Sequence, residues 1–234
     1  MIFQYQVTNS QSDSLKFGLK GKIIRALGKS STSPPIFYAG LKGGELGSAL
    51  IYKSEDFGKT WFPLNNNKPI SPYASDIQAI SIANDSANSI YAGTWKDGLF
   101  KSVDNGKTWK KVLTAPSSDI RNIKMGIQNP LLLHASTSSF GVMNSTDAGE
   151  TWIPDTIEVA ENFAPGDISA IDGEKAWVAV YDANGGGGIY NTIDGGQNWN
   201  HQESAAYSGT SSFCNVIQMF NIIFTFNIFL IKIS

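Results

Sequence analysis

Short runs in which apolar and polar residues alternate, bounded by Gly, Asn, Asp or Ser, recur along the chain. No stretch keeps a helical apolar period over three turns. The clearest run is Ile77-Gln78-Ala79-Ile80-Ser81-Ile82, whose β-branched residues favour an extended backbone. Asp76-Ile77, Asp119-Ile120 and Asp167-Ile168 each open such a run and predict three equivalent inner strands. A small residue inside an apolar stretch marks the strand that follows, at Ala39, Ala92, Ala135 and Ala179. A third strand ends in a polar turn, as in Gly98-Leu99-Phe100-Lys101-Ser102, and a fourth begins at a tryptophan after that turn.

The turn itself is an internal repeat. Ser54-Glu55-Asp56-Phe57-Gly58-Lys59-Thr60-Trp61 returns as Ser102-Val103-Asp104-Asn105-Gly106-Lys107-Thr108-Trp109 and as Ser145-Thr146-Asp147-Ala148-Gly149-Glu150-Thr151-Trp152. A fourth copy is Thr192-Ile193-Asp194-Gly195-Gly196-Gln197-Asn198-Trp199. Its aspartates lie 48, 43 and 47 residues apart, the length of four short strands with their turns, or one propeller blade. The hydroxyl and carboxylate can bond backbone N–H groups within the turn, and the glycine suits a left-handed backbone. The tryptophan then carries a large apolar surface into the next strand. These residues are therefore expected to be structural.

The pattern resembles the Asp-box, or BNR, repeat of sialidases, sortilin-type receptors, photosystem II assembly factors and xyloglucan-hydrolysing glycosidases. The resemblance covers roughly residues 20–204 and implies an all-β fold, a β-propeller of four-stranded antiparallel blades. The expected blades are 19–65, 66–113, 114–157 and 158–204, preceded by an extension over 1–18 and followed by the start of a fifth at 205–218. Residues 219–234 resemble no blade: they are an apolar tail without Gly, Asp or Trp. Three readings of that tail stand side by side. It is a product of lost reading frame in a longer propeller, a closing element that joins Ile2–Val7 in a fifth blade, or a membrane segment. The first is preferred because the break is abrupt, so the ring is expected to be left open and the chain truncated.

Composition narrows the chemistry. Only 16% of residues are charged and the net charge is −2, which argues against nucleic acid as a partner. A single cysteine, Cys214, excludes an internal disulfide, and two histidines at no ligand spacing point to no metal and no cofactor. Membrane contact is expected only through 216–231. The start of the chain lacks a signal-peptide pattern, whereas the resemblance implies an extracytoplasmic location, secreted or periplasmic. Lys107, Lys110 and Lys111 read as a solvated strand face.

Candidate site residues belong to the end of the propeller opposite the repeated turns, where loops between second and third strands meet the connections between blades. That end carries Lys42 and Glu45, then Trp95, Lys96 and Asp97, then Tyr181, Asp182 and Asn184, with Tyr73 in a connection. Trp95, Lys96, Tyr181, Asn184 and Tyr73 are candidates for binding a protein or glycan. Glu45, Asp97 and Asp182 are the carboxylates available for glycoside hydrolysis, which needs two of them opposed. The sialidase resemblance implies a three-arginine clamp, and the chain holds only Arg25 and Arg121. Two functions therefore remain, a non-catalytic binding scaffold and a fragment of a glycoside hydrolase, xyloglucanase-like more than sialidase-like.

Overall fold

The computed structural model describes residues 19–44, 47–48, 50–64, 66, 68–84, 89–126, 129–138, 141–154, 163–170, 174–182, 188–202, 217–219 and 228–230. Among them there is no α-helix. The first sheet is β1 (Ile23–Lys29), β2 (Phe37–Lys42), β3 (Ile51–Ser54) and β4 (Phe62–Pro63), antiparallel and in chain order. The last full sheet repeats that order with β11 (Phe163–Ala170), β12 (Ala176–Asp182), β13 (Gly188–Thr192) and β14 (Asn200–His201).

Two blades are fused between them. β5 (Ile77–Ile82) and β6 (Ile90–Ser102) pair with β7 (Lys110–Met125), which continues into β8 (Leu133–Thr137), β9 (Val142–Ser145) and β10 (Ile153–Pro154). β7 is thus the outer strand of one blade and the inner strand of the next. β6 likewise contains two strands of the repeat. Thr94 Oγ1 donates to the Gly98 carbonyl at 2.8 Å, whereas an extended run would hold those residues about 13 Å apart. The backbone therefore reverses there, with Lys96 at φ 73° and Gly98 at φ 84°. Thr137 Oγ1 donates to the Gly141 carbonyl in the same way, at 3.0 Å, between β8 and β9.

The fold is an all-β propeller of four-stranded antiparallel blades. Inner strands pack in chain order, β1 on β5, β5 on β7 and β7 on β11. β15 (Ile217–Met219), paired with β16 (Ile228–Leu230), lies against β11 and takes the next place in that series.

The apolar core lies between blades rather than inside them. One cluster joins Ala26, Tyr38 and Leu64 to Ile77, Ile80 and Ile90, with Trp109 against it. A second joins Tyr91 and Leu99 to Ile120, Ile123 and Leu133, with Trp152 against it. A third joins Val142 to Ile168, Val178 and Tyr190, with Trp199. Each of these tryptophans seals its own blade to the one before it. Gly40 and Gly93 let inner strands approach closely: a Cβ there would sit 2.4 Å from Ile77 Cγ2 and 2.6 Å from Ile120 Cγ2.

Strand register corrects the sequence reading of the last blade. Leu27, Ile80 and Ile123 pair with Ala39, Ala92 and Ala135, but in the last blade the pair is Ile168 with Val178. Val178 therefore takes the marker position and Ala179 stands where Gly40 and Gly93 stand. Val178 and Ala179 are both fully buried, so this strand shows no alternation from which its register could be read. The same register places Asp167 three residues further along its strand than Asp76 and Asp119, level with Ala79 and Asn122. Its Oδ1 accepts a hydrogen bond from Asn122 Nδ2 of the preceding blade.

Candidate functional site

The two ends of each blade differ in chemistry. At one end the repeated turn meets the turn between first and second strands: Ala148 N donates to Leu131 O at 2.8 Å and Gly195 N to Glu174 O at 2.9 Å. Within the turns one hydrogen-bond pattern holds four times. Ser54, Ser102, Ser145 and Thr192 each donate to the Oδ1 of Asp56, Asp104, Asp147 and Asp194 at 2.7–2.8 Å. The same hydroxyls accept from the N–H of Gly58, Gly106, Gly149 and Gly196 at 2.8–2.9 Å. The carboxylates also accept from the backbone N–H of Thr60, Thr108, Thr151 and Asn198 at 2.8–3.0 Å. Side-chain donation by Thr60, Thr108, Thr151 and Asn198, followed by their backbone N–H groups, lowers all four carboxyls to about 2. Trp61 and Trp152 Nε1 each donate to the carbonyl of Gly58 or Gly149 at 3.0 Å.

At the other end the loops reach across to the next blade. Gly43 N donates to Ser75 O at 3.1 Å and to Asp76 Oδ1 at 3.1 Å, and Gly44 N to the same carboxylate oxygen at 3.3 Å. Each inner strand carries a register shift at one equivalent place, between Ile24 and Ala26, Ile77 and Ala79, Ile120 and Asn122, and Pro165 and Ile168. A bulge re-aims the extra residue. In the first three blades those residues are Arg25, Gln78 and Arg121, so both arginines of the chain stand at the same structural position.

Charges of both signs gather around them. Arg25 Nε is 3.9 Å from Asp76 Oδ2, which also accepts from Gln78 Nε2 at 3.4 Å. Burial pushes the Asp119 carboxyl above its ordinary value, Arg121 and Lys96 pull against that, and the Asp76 charge adds to it. Lys96 lies over the Trp95 ring at 5.4 Å, itself exposed beside a half-buried indole. Tyr73 and Lys42 are exposed on the same end.

Asp97 points the other way. It is buried, accepts from Ser71 Oγ and pairs with Lys111 Nζ, so both its oxygens are engaged inside the blade. Lys111 and Lys110 are ion-paired rather than simply solvated, the latter to Glu150 at 2.7 Å. Glu45, Asn184 and Cys214 lie outside the described residues, and of Tyr181 and Asp182 only the backbone, in β12, is described. Among the described residues no group of His, Cys, Asp and Glu could hold a metal ion. The arginine positions escape a reading by strict alternation, because a bulge shifts the apolar pattern by one residue: Ile120 and Ile123 are both buried although three residues apart. The recurring Ile-Arg pairs, Ile24-Arg25 and Ile120-Arg121, are a second trace of them in the sequence.

No family model and no curated protein matches the chain. Solved structures do match in fold. A GH74 xyloglucanase from Xanthomonas campestris superposes with TM-score 0.59 at 14% identity, over 76% of this chain and 30% of its own. YCF48 from Cyanidioschyzon merolae gives 0.56 at 17%, over 78% and 58%. The extracellular domain of the one-component system BT4673 from B. thetaiotaomicron gives 0.61 at 13%, over 89% and 26%. The chain thus spans less than two thirds of each of these structures, and under a third of two of them.

Proposed function

We propose that this chain is a non-catalytic binding module of the Asp-box propeller type, secreted or periplasmic, whose loop end takes a protein or glycan ligand. The repeated bulge carries this reading, because it presents Arg25, Gln78 and Arg121 at one end of the inner strands beside Lys96 and Trp95. Guanidinium and amide groups donate to sugar hydroxyls, carboxylates or peptide carbonyls, and the half-buried Trp95 indole with Lys96 over its ring adds apolar surface and charge beside them. Both Asp97 oxygens are engaged by Ser71 and Lys111, which favours a structural role for it. The fold is shared by a xyloglucanase and by the extracellular domain of a one-component system, so fold alone favours neither activity.

The test is binding of the full chain to xyloglucan oligosaccharides and to an unstructured peptide library, with product release followed in the same samples. Saturable binding without turnover is expected, and Arg121→Ala should weaken it about tenfold or more, the worth of one charge-assisted hydrogen bond, with no change in melting temperature. A second reading has one observation in its favour, the raised Asp119 carboxyl near the Asp76 charge, which suits half of a glycosidase acid–base pair. Reducing-sugar release that Asp119→Asn abolishes would establish that reading and displace the first.

A further inference from the structure

A groove of about 550 Å³ opens at the opposite end of the propeller, between the repeated turns of the third and fourth blades. Leu132, Ile153 and Pro154 supply apolar wall; Asn144, Thr146, Glu174, Asp194 and Gln197 supply polar wall, and no cation stands among the described residues that line it. The junction between the second and third blades shows what occupies the equivalent space there. Lys101 crosses that seam, donating to Ala148 O at 2.9 Å and Glu150 Oε1 at 3.0 Å while lying 5.7 Å from the Tyr91 ring centroid. Lys110, paired in register with Lys101, reaches Glu150 Oε2 at 2.7 Å.

Every part of that arrangement has a counterpart one blade on. Asn144 stands at the position of Lys101 and Ile153 at that of Lys110, and these two are likewise paired in register. Gly195 replaces Ala148, Gln197 replaces Glu150, and His134 replaces Tyr91. The acceptors persist while both ammonium groups are gone: Asn144 is too short to cross and instead bonds His134 Nδ1. The first junction solves the same problem differently. There Lys53 faces a turn that carries Lys107 and pairs with Glu55 of its own blade at 2.7 Å.

We infer that the groove between the third and fourth blades receives a lysine side chain from a protein partner, seated as Lys101 is seated one blade earlier. The ammonium would lie among the Gly195 carbonyl, Gln197, Glu174 and Asp194, and an apolar neighbour of that lysine would rest on Ile153 and Pro154. This site is independent of the loop end and does not rest on the function proposed above.

The probe is blocked acetyl-Leu-Lys-amide against the same peptide with norleucine in place of lysine, titrated into the full chain and followed by NMR. The lysine peptide should bind saturably and about tenfold tighter than its uncharged counterpart, with the difference shrinking as salt is raised. Gln197→Glu restores the carboxylate present at Glu150, on an exposed position, and should tighten binding. Asn144→Lys with His134→Tyr rebuilds the internal lysine and should abolish it in a chain whose circular dichroism is unchanged. Equal affinity for the two peptides, no gain in Gln197→Glu, or loss of binding in the loop-end variant Arg121→Ala would each overturn the assignment. Should the double variant not fold, the Gln197→Glu comparison decides alone.

Discussion

Asp56, Asp104, Asp147 and Asp194 each accept three kinds of hydrogen bond from within eight residues of chain, so the turns are closed by local chemistry alone. That is why four copies could be read from the sequence: polar groups at fixed offsets satisfy their own backbone wherever they are placed. The residue before each glycine was less legible. Phe57, Asn105 and Ala148 stand at φ 61°, 60° and 58°, a left-handed region that only the fourth copy meets with a glycine, Gly195 at φ 72°. Because the four carboxyls fall from 3.8 to about 2 on folding, their stabilisation is whole above about pH 4 and is lost as pH falls through 2. A melting series from pH 5 to pH 2 should therefore decline across that window. Asp147→Asn should flatten part of the decline; an identical pH profile would mean the turn does not hold its carboxylate in the ionised form.

Strands are joined into blades by approach distances that composition does not reveal. Gly93 permits Ile120 of the next blade to press on the second strand, and Ser136 stands at the same position one blade later. Gly93→Ala should cost about 1–3 kcal/mol in denaturant titration through overpacking, whereas Ser136→Ala should cost less. Comparable losses in both would show that the strand can shift to admit a Cβ. Element by element, the inner, second and third strands of the middle blades were legible because alternation and the marker alanines agreed. The last blade was misread by one residue at Val178 and by three at Asp167, since strands buried on both faces carry no alternation. The bulges at Arg25 and Arg121 break the alternation by one residue, and without the strand register that break reads only as irregular patterning, as between the buried Ile120 and Ile123.

Across the whole molecule, one position separates the first blade from the others. Ile80 is 9% exposed, Ile123 2% and Ile168 0%, each covered by the blade before it, whereas Leu27 at the same register position is 71% exposed. Ile23, on the same strand, is 57% exposed. Ile123→Ala should cost about 2–5 kcal/mol, while Leu27→Ala should fall within about 0.5 kcal/mol of wild type. A Leu27→Ala loss as large as that of Ile123→Ala would mean that the first inner strand is covered in solution.

The seams between blades also have a direction. Tyr91 of the second blade donates its hydroxyl to Ala148 O at 2.7 Å and closes on Gly149, while Leu64 of the first blade presses on Gly106 of the second. The first and second blades therefore each act as the foundation of the next blade's turn, and nothing equivalent runs backwards in these two contacts. Damage in such a stack travels downstream: truncating Tyr91 would loosen a turn more than fifty residues later in the chain before it disturbed the turn of its own blade. A chain built this way has a grain, as timber does, and splits along it.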